Sequence, residues 1–313
     1  MNPETNKTKM NADLVELTAQ LCDRVDGQIE IDKPLAPFTS YKIGGPTAIW
    51  VAPDTKEGVG RALEVIHDKR VPLLVLGRGS NLLISDHGWE GVTLYLGENF
   101  SGWRFDDRQA KVQAGTLLMD LIHAAVQNGL SGLELLAGIP GTVGGALCMN
   151  AGAFGREIGQ VTVSVSGFRR DGSAFWAERH RINFDYRRVP ELDKVVITSA
   201  LFQFTEKDPN ALKKRLEDIL ALRAGKQPLS YPSCGSIFKR PAGYYAGALI
   251  EETGLKGKRI GGAMISPKHA GFILNVDNAN AIDVYALIQL VEARVLDRFG
   301  VRLEREVKLI GEF

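Results

Sequence analysis

AGIPGTVGGALCMNAGAFG, residues 137–155, is built almost wholly of glycine and small apolar side chains, with Pro140 inside it and no charge before Arg156. Small side chains let a backbone approach a flat or anionic group closely, and consecutive free amides can cradle phosphate oxygens. A second such loop, Gly77-Arg78-Gly79-Ser80-Asn81, follows the apolar, strand-like run Pro72–Leu76. Two amide-rich loops in one chain suggest a dinucleotide held along its pyrophosphate. Read singly, the same glycines could do no more than close tight turns.

The common nucleotide fingerprints do not account for these loops. GRGSNL lacks the third glycine of GxGxxG, strand rather than long helix follows it, and no acidic residue sits on a clear second strand about 20 residues on. No GxxxxGK[ST] occurs. What remains is an α+β chain that holds a cofactor between two subdomains, one ending in GRGSN and one presenting Ala137–Gly155.

Composition narrows the classes further. The 313 residues carry a net charge of +1, with 44% hydrophobic and 24% charged residues. This is the profile of an ordinary soluble protein, with no bulk bias toward nucleic acid or a membrane surface. The three cysteines, Cys22, Cys148 and Cys234, lie far apart and outside any CxxC or Cys/His pattern. They fit a reducing cytoplasm and offer neither a disulfide framework nor a metal site. No apolar run reaches about 18 residues, and the polar N-terminus lacks the core of a secretory signal.

Periodicity predicts a disordered lead-in over 1–10, then a helix capped by Asn11 with Leu14, Leu17, Leu21 and Val25 on one stripe. Leu35–Tyr41 reads as extended. A βαβ unit follows: strand Ala48–Ala52, helix Glu57–Lys69 and strand Pro72–Leu76. Short strands at Val92–Leu96 and Lys111–Ala114 precede a helix near Thr116. Beyond the small-residue loop come a hairpin turning at Arg170–Ser173 and a strand at Val195–Phe204. Asp208-Pro209 opens a helix over Asn210–Ala224. The remainder reads as helix Tyr245–Thr253, strand Gly271–Val276, helix Ala281–Phe299 and strand Arg302–Ile310. The expected organisation is an N-terminal extension (1–34), a cofactor domain (35–207, with subdomains about 35–77 and 78–207) and a smaller α+β lobe (208–313).

Six motifs in order carry a family resemblance: TSYKIGG (39–45), LGRGSNLLISD (76–86), LAGIPGTVGGALCMNAGAFG (136–155), FDYRRVP (184–190), PSCGSIFKRP (232–241) and LEREVKLIG (303–311). Over residues 35–311 the chain resembles the UDP-N-acetylenolpyruvoylglucosamine reductases, flavoenzymes of bacterial peptidoglycan precursor synthesis. With no long insertion between Tyr186 and the Val195–Phe204 strand, it resembles their shorter, type II branch. The resemblance implies a two-subdomain FAD-binding module of the p-cresol methylhydroxylase type, followed by a smaller α+β substrate-binding domain. It implies non-covalent FAD and NADPH as hydride donor. The reaction is reduction of an enolpyruvyl ether to a lactyl ether, in which one carbon takes a hydride and its neighbour a proton. The other classes to weigh are a different FAD-dependent oxidoreductase on the same fold and a non-catalytic nucleotide-binding protein.

The same resemblance implies roles for particular residues. Ser236 matches the proton donor, Arg187 the group that polarises the substrate carboxylate, and Glu306 a third catalytic residue whose pKa would usefully be raised. Lys226 and Arg240 match substrate contacts, although Arg240 stands where the family commonly has Asn. For FAD, the implied residues are Tyr41, Ile43 and Gly44; Leu76, Gly77, Arg78, Gly79, Ser80, Asn81 and Leu82; and Ala114 and Gly115. They continue through Ala137, Gly138, Ile139, Pro140, Gly141, Thr142, Val143, Gly144, Gly145 and Ala146 to Ala151 and Gly152. The amides of GRGSN and of Ile139–Ala146 are expected to flank the pyrophosphate.

Each residue also has a plainer reading. Ser236 can be a turn serine bonded to its own backbone, and Arg187 a surface cation. Glu306 can belong to a solvent-facing ladder with Arg302, Glu304 and Lys308, and Lys226 can be a helix-end cation. Arg188 competes with Arg187; in an extended segment the two point to opposite faces. His269 reads as scaffolding rather than as a base. The expected protein is a cytoplasmic monomer acting on small molecules, without metal, nucleic acid or membrane.

Overall fold

The structure, a computed structural model, describes residues 3–313, with side chains from Leu14 onward. It divides into two compact units. Unit 1 comprises the chain to Lys33, Thr47–Gly77 and Glu90–Lys214; unit 2 comprises Pro34–Pro46, Arg78–Trp89 and Arg215–Phe313. The boundaries expected from sequence differ. They kept 35–46 and 78–89 with the cofactor domain, whereas their partners lie in the C-terminal residues.

In unit 1 the first helix, α1 (Pro3–Arg24), begins at Pro3 rather than at Asn11. Proline's fixed φ suits a first helical turn. Of the expected disordered lead-in, residues 1 and 2 lie outside the described residues, and the rest is helix. The forecast stripe is real: Leu17, Leu21 and Val25 pack with Val59, Leu63 and Ile66 of α2 (Lys56–Asp68) in one core. Each such buried side chain contributes about 1.5–3 kcal/mol. Thr55 caps α2, its hydroxyl accepting from the Gly58 N–H at 3.0 Å.

Strands β1 (Gly27–Pro34), β2 (Pro46–Pro53), β3 (Leu73–Leu76) and β5 (Trp89–Tyr95) form a sheet in the order β1-β2-β5-β3, while β4 (Leu82–Ile84) belongs to unit 2. Thus β5 inserts parallel to β3 and completes the first sheet instead of opening the second subdomain. The second sheet is antiparallel. It uses β6 (Trp103–Asp106), β7 (Gln109–Gln113), β11 (Thr162–Arg169), β12 (Ala174–Glu178) and β13 (Val195–Gln203) in the order β12-β11-β13-β7-β6. Between β7 and β11 lie α3 (Leu118–Gln127), β8 (Leu130–Ser131), α4 (Val143–Cys148), β9 (Gly152–Ala153) and β10 (Arg156–Glu157). A Cβ at Gly60 would come within 2.9 Å of the Phe168 ring, so α2 lies directly against β11. A larger residue there would have to displace the ring. β8 pairs with β14 (Thr205–Glu206), after which Asp208 caps α5 (Pro209–Lys226) by accepting from the N–H groups of Asn210 and Ala211.

Unit 2 is organised on α7 (Ala281–Phe299), whose ends are those expected from sequence. Asn280 and Asp283 form a reciprocal capping box, and the Asp86 carboxylate adds bonds from Ala281 N–H (2.8 Å) and Ile282 N–H (3.3 Å). Gly300 closes the helix with φ +66°. Val284, Leu287, Ile288, Val291 and Val295 bury one face of α7 against Leu249 and Ile250 of α6 (Ala246–Glu252), with Ile237, Phe238, Tyr41 and Leu83 in the same core. A small antiparallel sheet joins β15 (Arg259–Ile260), β16 (Ala263–Ile265) and β17 (Ile273–Asn275). β4 pairs in parallel with β18 (Lys308–Ile310), which is why residues 78–89 group with the C-terminus. The expected strand over Arg302–Ile310 is regular only at its end, and Leu35–Tyr41 is a 3₁₀ turn over Ala36–Phe38 rather than extended chain.

Candidate active site

In unit 1 the small-residue loop forms a tight, capped turn. Gly138 and Gly141 take φ values of +79° and +126°, which side-chain-bearing residues avoid. Thr142 caps α4 through its hydroxyl, which accepts from the Gly145 N–H at 3.3 Å. A Cβ at Gly77 would lie 2.6 Å from that hydroxyl, so glycine is required there also.

Not every amide of the loop faces outward. The N–H groups of Val143 and Gly144 donate to the carbonyls of Thr116 and Ala114, each at 2.8 Å. Those of Ile139 and Ala146 donate to Leu136 and Thr142, and that of Gly138 to the Met119 sulfur. Ala114 and Gly115 likewise donate to Thr198 and Phe100, and Ala151 to Ala146. The amides of Gly141 and Thr142 meet no acceptor among the described residues. The outward set is therefore narrower than Ile139–Ala146. Beside these amides the loop surface presents exposed Pro140 and Gly145 and half-buried Gly138, Ile139 and Gly141, and a Cβ at Gly145 would meet only the Thr142 hydroxyl, at 3.6 Å. A flat, anionic cofactor fits such a surface.

Asn150 follows the same loop in unit 1. It is fully buried, has φ +41°, and ties Glu157, Gly159 and Asp185 together. Composition and spacing did not single it out; the only cue is an Asn, which tolerates the left-handed region, among small residues. Arg187 is not in extended chain. Asp185 and Arg188 pair across a turn (Asp185 N–H to Arg188 O 2.9 Å, the reverse bond 3.3 Å), with Tyr186 and Arg187 at its tip. Arg187 adopts φ +55°, lies half-buried against the Tyr186 ring and donates from Nη2 to the Gly152 carbonyl at 2.9 Å. Arg188 is exposed. The turn, not strand alternation, is what separates the two arginines.

In unit 2, Ser236 and Glu306 come together through backbone pairing. Glu306 N–H donates to the Ile237 carbonyl (2.8 Å), Lys239 N–H to that of Glu304 (2.9 Å), and Phe238 bridges Arg305. On the other side Ile237 N–H donates to Gly271 (3.0 Å), and Ser236 bridges Phe272. Ser236 is exposed between buried Cys234 and Ile237, and its hydroxyl bonds no group among the described residues. The turn-serine reading predicted such a bond. Glu306 is half-buried whereas Arg302, Glu304 and Lys308 are exposed, so it departs from the ladder. Its carbonyl accepts from the Asn81 side chain at 3.0 Å, and Lys308 N–H returns to the Asn81 carbonyl. The GRGSN loop is thus fastened to the Glu306 strand.

Tyr41, expected near a cofactor, is instead core. It is fully buried and its hydroxyl donates to the Ile273 carbonyl at 3.0 Å, which leaves only its backbone for a ligand. Ile43 and Leu76 are equally buried. Burial pushes the Cys234 thiol up to about 12, so it is no nucleophile at neutral pH. Lys226 ends α5 in an exposed position, and the Arg240 guanidinium lies 4.0 Å over the Tyr245 ring. His269 acts as scaffold: Nδ1 accepts from Gly271 N–H at 3.1 Å, and burial lowers its pKa. Among the described residues no cluster of His, Cys, Asp or Glu could hold a metal ion.

Two family models match the chain, an FAD binding domain over residues 47–177 and the UDP-N-acetylenolpyruvoylglucosamine reductase C-terminal domain over 227–310. A UDP-N-acetylenolpyruvoylglucosamine reductase of Clostridioides difficile (strain 630) is 40% identical over 91% of this chain and 94% of its own length. One from Listeria monocytogenes serovar 1/2a is also 40% identical, over 91% and 95%. The chain belongs to this reductase family. The crystal structure of the Thermus caldophilus enzyme superimposes with a TM-score of 0.78 at 35% identity, covering 91% of this chain and 99% of that one. Berberine bridge enzyme from Eschscholzia californica shares the fold alone, at 13% identity and a TM-score of 0.50 over 62% of this chain and 44% of that one.

The GRGSN turn supplies a direct test of the cofactor cradle. Gly79 has φ +57°, and a Cβ there would lie 2.5 Å from the Phe38 carbonyl oxygen. We expect Gly79→Ala to cost about 1–3 kcal/mol of stability and to weaken FAD retention through gel filtration at least tenfold. Unchanged melting temperature and flavin content would contradict this placement.

Proposed function

We propose that this protein reduces the enolpyruvyl ether of UDP-N-acetylglucosamine enolpyruvate to UDP-N-acetylmuramate, with NADPH as reductant. Family membership across nine-tenths of the chain is the observation that carries this reading. FAD, when bound, supplies the hydride that reaches the terminal methylene carbon. The protein's tasks are then to stabilise negative charge on the neighbouring carbon and its carboxylate, and to deliver one proton to that carbon. The Arg187 guanidinium is assigned to the carboxylate, since its planar fork matches two oxygens gaining charge. Ser236 is assigned the proton transfer; the residue is exposed, its hydroxyl bonds no group among the described residues, and a carbanionic centre is basic enough to take its proton. Glu306, set beside the Ser236 segment by backbone pairing, is assigned to hold or replenish that proton. Lys226 and Arg240 are assigned to the substrate's diphosphate and nucleoside part. The amides of Arg78, Gly79, Gly141 and Thr142 are assigned to the FAD pyrophosphate. The substrates, both soluble nucleotides, suit a cytoplasmic monomer, and among the described residues no helix is long and apolar enough to cross a membrane.

The test is turnover. Purified protein supplied with NADPH and the enolpyruvyl sugar nucleotide should yield a nucleotide heavier by one pair of hydrogens, with NADPH consumed in equal amount. NADPH oxidation that needs oxygen and ignores the nucleotide would instead favour a different FAD-dependent oxidoreductase.

A further inference from the structure

Asn150, fully buried beside the small-residue loop, uses both ends of its side-chain amide. Nδ2 donates to Glu157 Oε2 at 2.7 Å and to the Asp185 carbonyl at 3.1 Å, while Oδ1 accepts from Gly159 N–H at 3.2 Å. Two acceptors on one side and a donor on the other fix which end of the amide is which. The contacts close a circuit within unit 1. Glu157 pairs with Gly152 across β9 and β10, and the Gly152 carbonyl receives Arg187 Nη2 at 2.9 Å. Asp185, held by Asn150, is the first residue of the turn that carries Arg187. Asn150 therefore grips both the base of the arginine turn and, through Glu157, the strand that receives the arginine's head.

No other side chain meets these demands. The backbone at φ +41° tolerates Asn or Gly. Ala lacks every bond, and would leave the Asp185 carbonyl and Gly159 N–H without this partner. Asp would set a second carboxylate against Glu157. Gln is one methylene too long for a site with no exposed surface.

We propose that Asn150 is a positioning residue for Arg187, fixing the guanidinium where the substrate carboxylate gains charge. The inference rests on the assignment of Arg187 made above. Misplacing a catalytic group by about 1 Å can cost on the order of 10²-fold, so the loss should fall on the substrate step alone.

The experiment compares Asn150→Ala, Asn150→Gly and Asn150→Ser with Arg187→Ala, each purified with FAD. Bleaching of the flavin by NADPH should stay within about twofold of wild type, and reoxidation by the enolpyruvyl nucleotide should slow roughly 10- to 100-fold. Asn150→Gly keeps the left-handed backbone and serves if Asn150→Ala does not fold; Asn150→Ser, with one donor, should recover part of the rate. Amide exchange over residues 184–189, read by mass spectrometry, should quicken in Asn150→Gly while the rest of the chain keeps its protection. The double variant Arg187→Ala/Asn150→Gly should be no slower than Arg187→Ala, since the two act through one group. Equal slowing of both half-reactions, or losses that multiply in the double variant, would show a merely structural role and overturn the inference. A slow Arg187→Ala beside a fast Asn150→Gly overturns this inference alone. An Arg187→Ala enzyme of full speed overturns the Arg187 assignment, and the inference with it.

Discussion

Ser236→Ala protein should bind FAD and be bleached by NADPH at the wild-type rate, yet its reoxidation by the enolpyruvyl nucleotide should slow by about 10²–10⁴-fold. The separation follows from where the residue sits. Cys234, Ile237 and Phe238 anchor the segment in the unit 2 core, and Ile237 is paired on both sides, to Gly271 and Glu306. Removing the oxygen of this exposed residue, which bonds no other group among the described residues, leaves that scaffold intact, so stability should move by less than about 0.5 kcal/mol. A loss confined to the second half-reaction is then the loss of a proton donor. If turnover stays within about tenfold of wild type, at most ~1.4 kcal/mol of barrier, another group delivers the proton.

Arg187→Ala should also spare flavin reduction and slow the second half-reaction, by about 10²–10³-fold, the usual cost of removing a group aimed at developing negative charge. Arg187→Lys should recover little, because a point charge does not reproduce the fork. Arg188→Ala should change the rate less than about threefold, since its side chain is exposed. Equal and mild effects of the two alanine substitutions would remove the assignment. The turn geometry makes the contrast sharp: Arg187 is fixed at φ +55° with its head on the Gly152 carbonyl, and Arg188 lies outside that arrangement.

Most helices were legible in the sequence because their signals are local, although α1 starts well before Asn11 and α4 lies inside the run that reads as a loop. Thr55 and the Leu17/Leu21/Val25 stripe mark α2 and α1, and Asn280 and Gly300 bracket α7 to the residue. The division into units was not legible, because it depends on pairing between distant segments. β4 finds β18 more than 200 residues away, and Tyr41 bonds Ile273 across a similar separation. The same physics governs the site. Gly-rich runs announced where a cofactor could approach, but not which amides face it; Val143 and Gly144 look available until their acceptors at Thr116 and Ala114 are in place. Glu306 reads as one rung of a charged ladder until pairing with Ile237 sets it half-buried. Asn150 sits unremarked among the small residues of its motif, since its partners come from two other segments, Glu157 and Gly159 in one and Asp185 in the other.

One bound flavin should link NADPH oxidation to reduction of an enolpyruvyl sugar nucleotide. Anaerobic stopped-flow absorbance reads this coupling: NADPH is added to the yellow protein, and the nucleotide is mixed in once the colour has gone. Prompt return of the colour, with one lactyl product formed per flavin, is the predicted result. A flavin that stays bleached after the nucleotide is added, and recovers only when oxygen enters, would contradict the account.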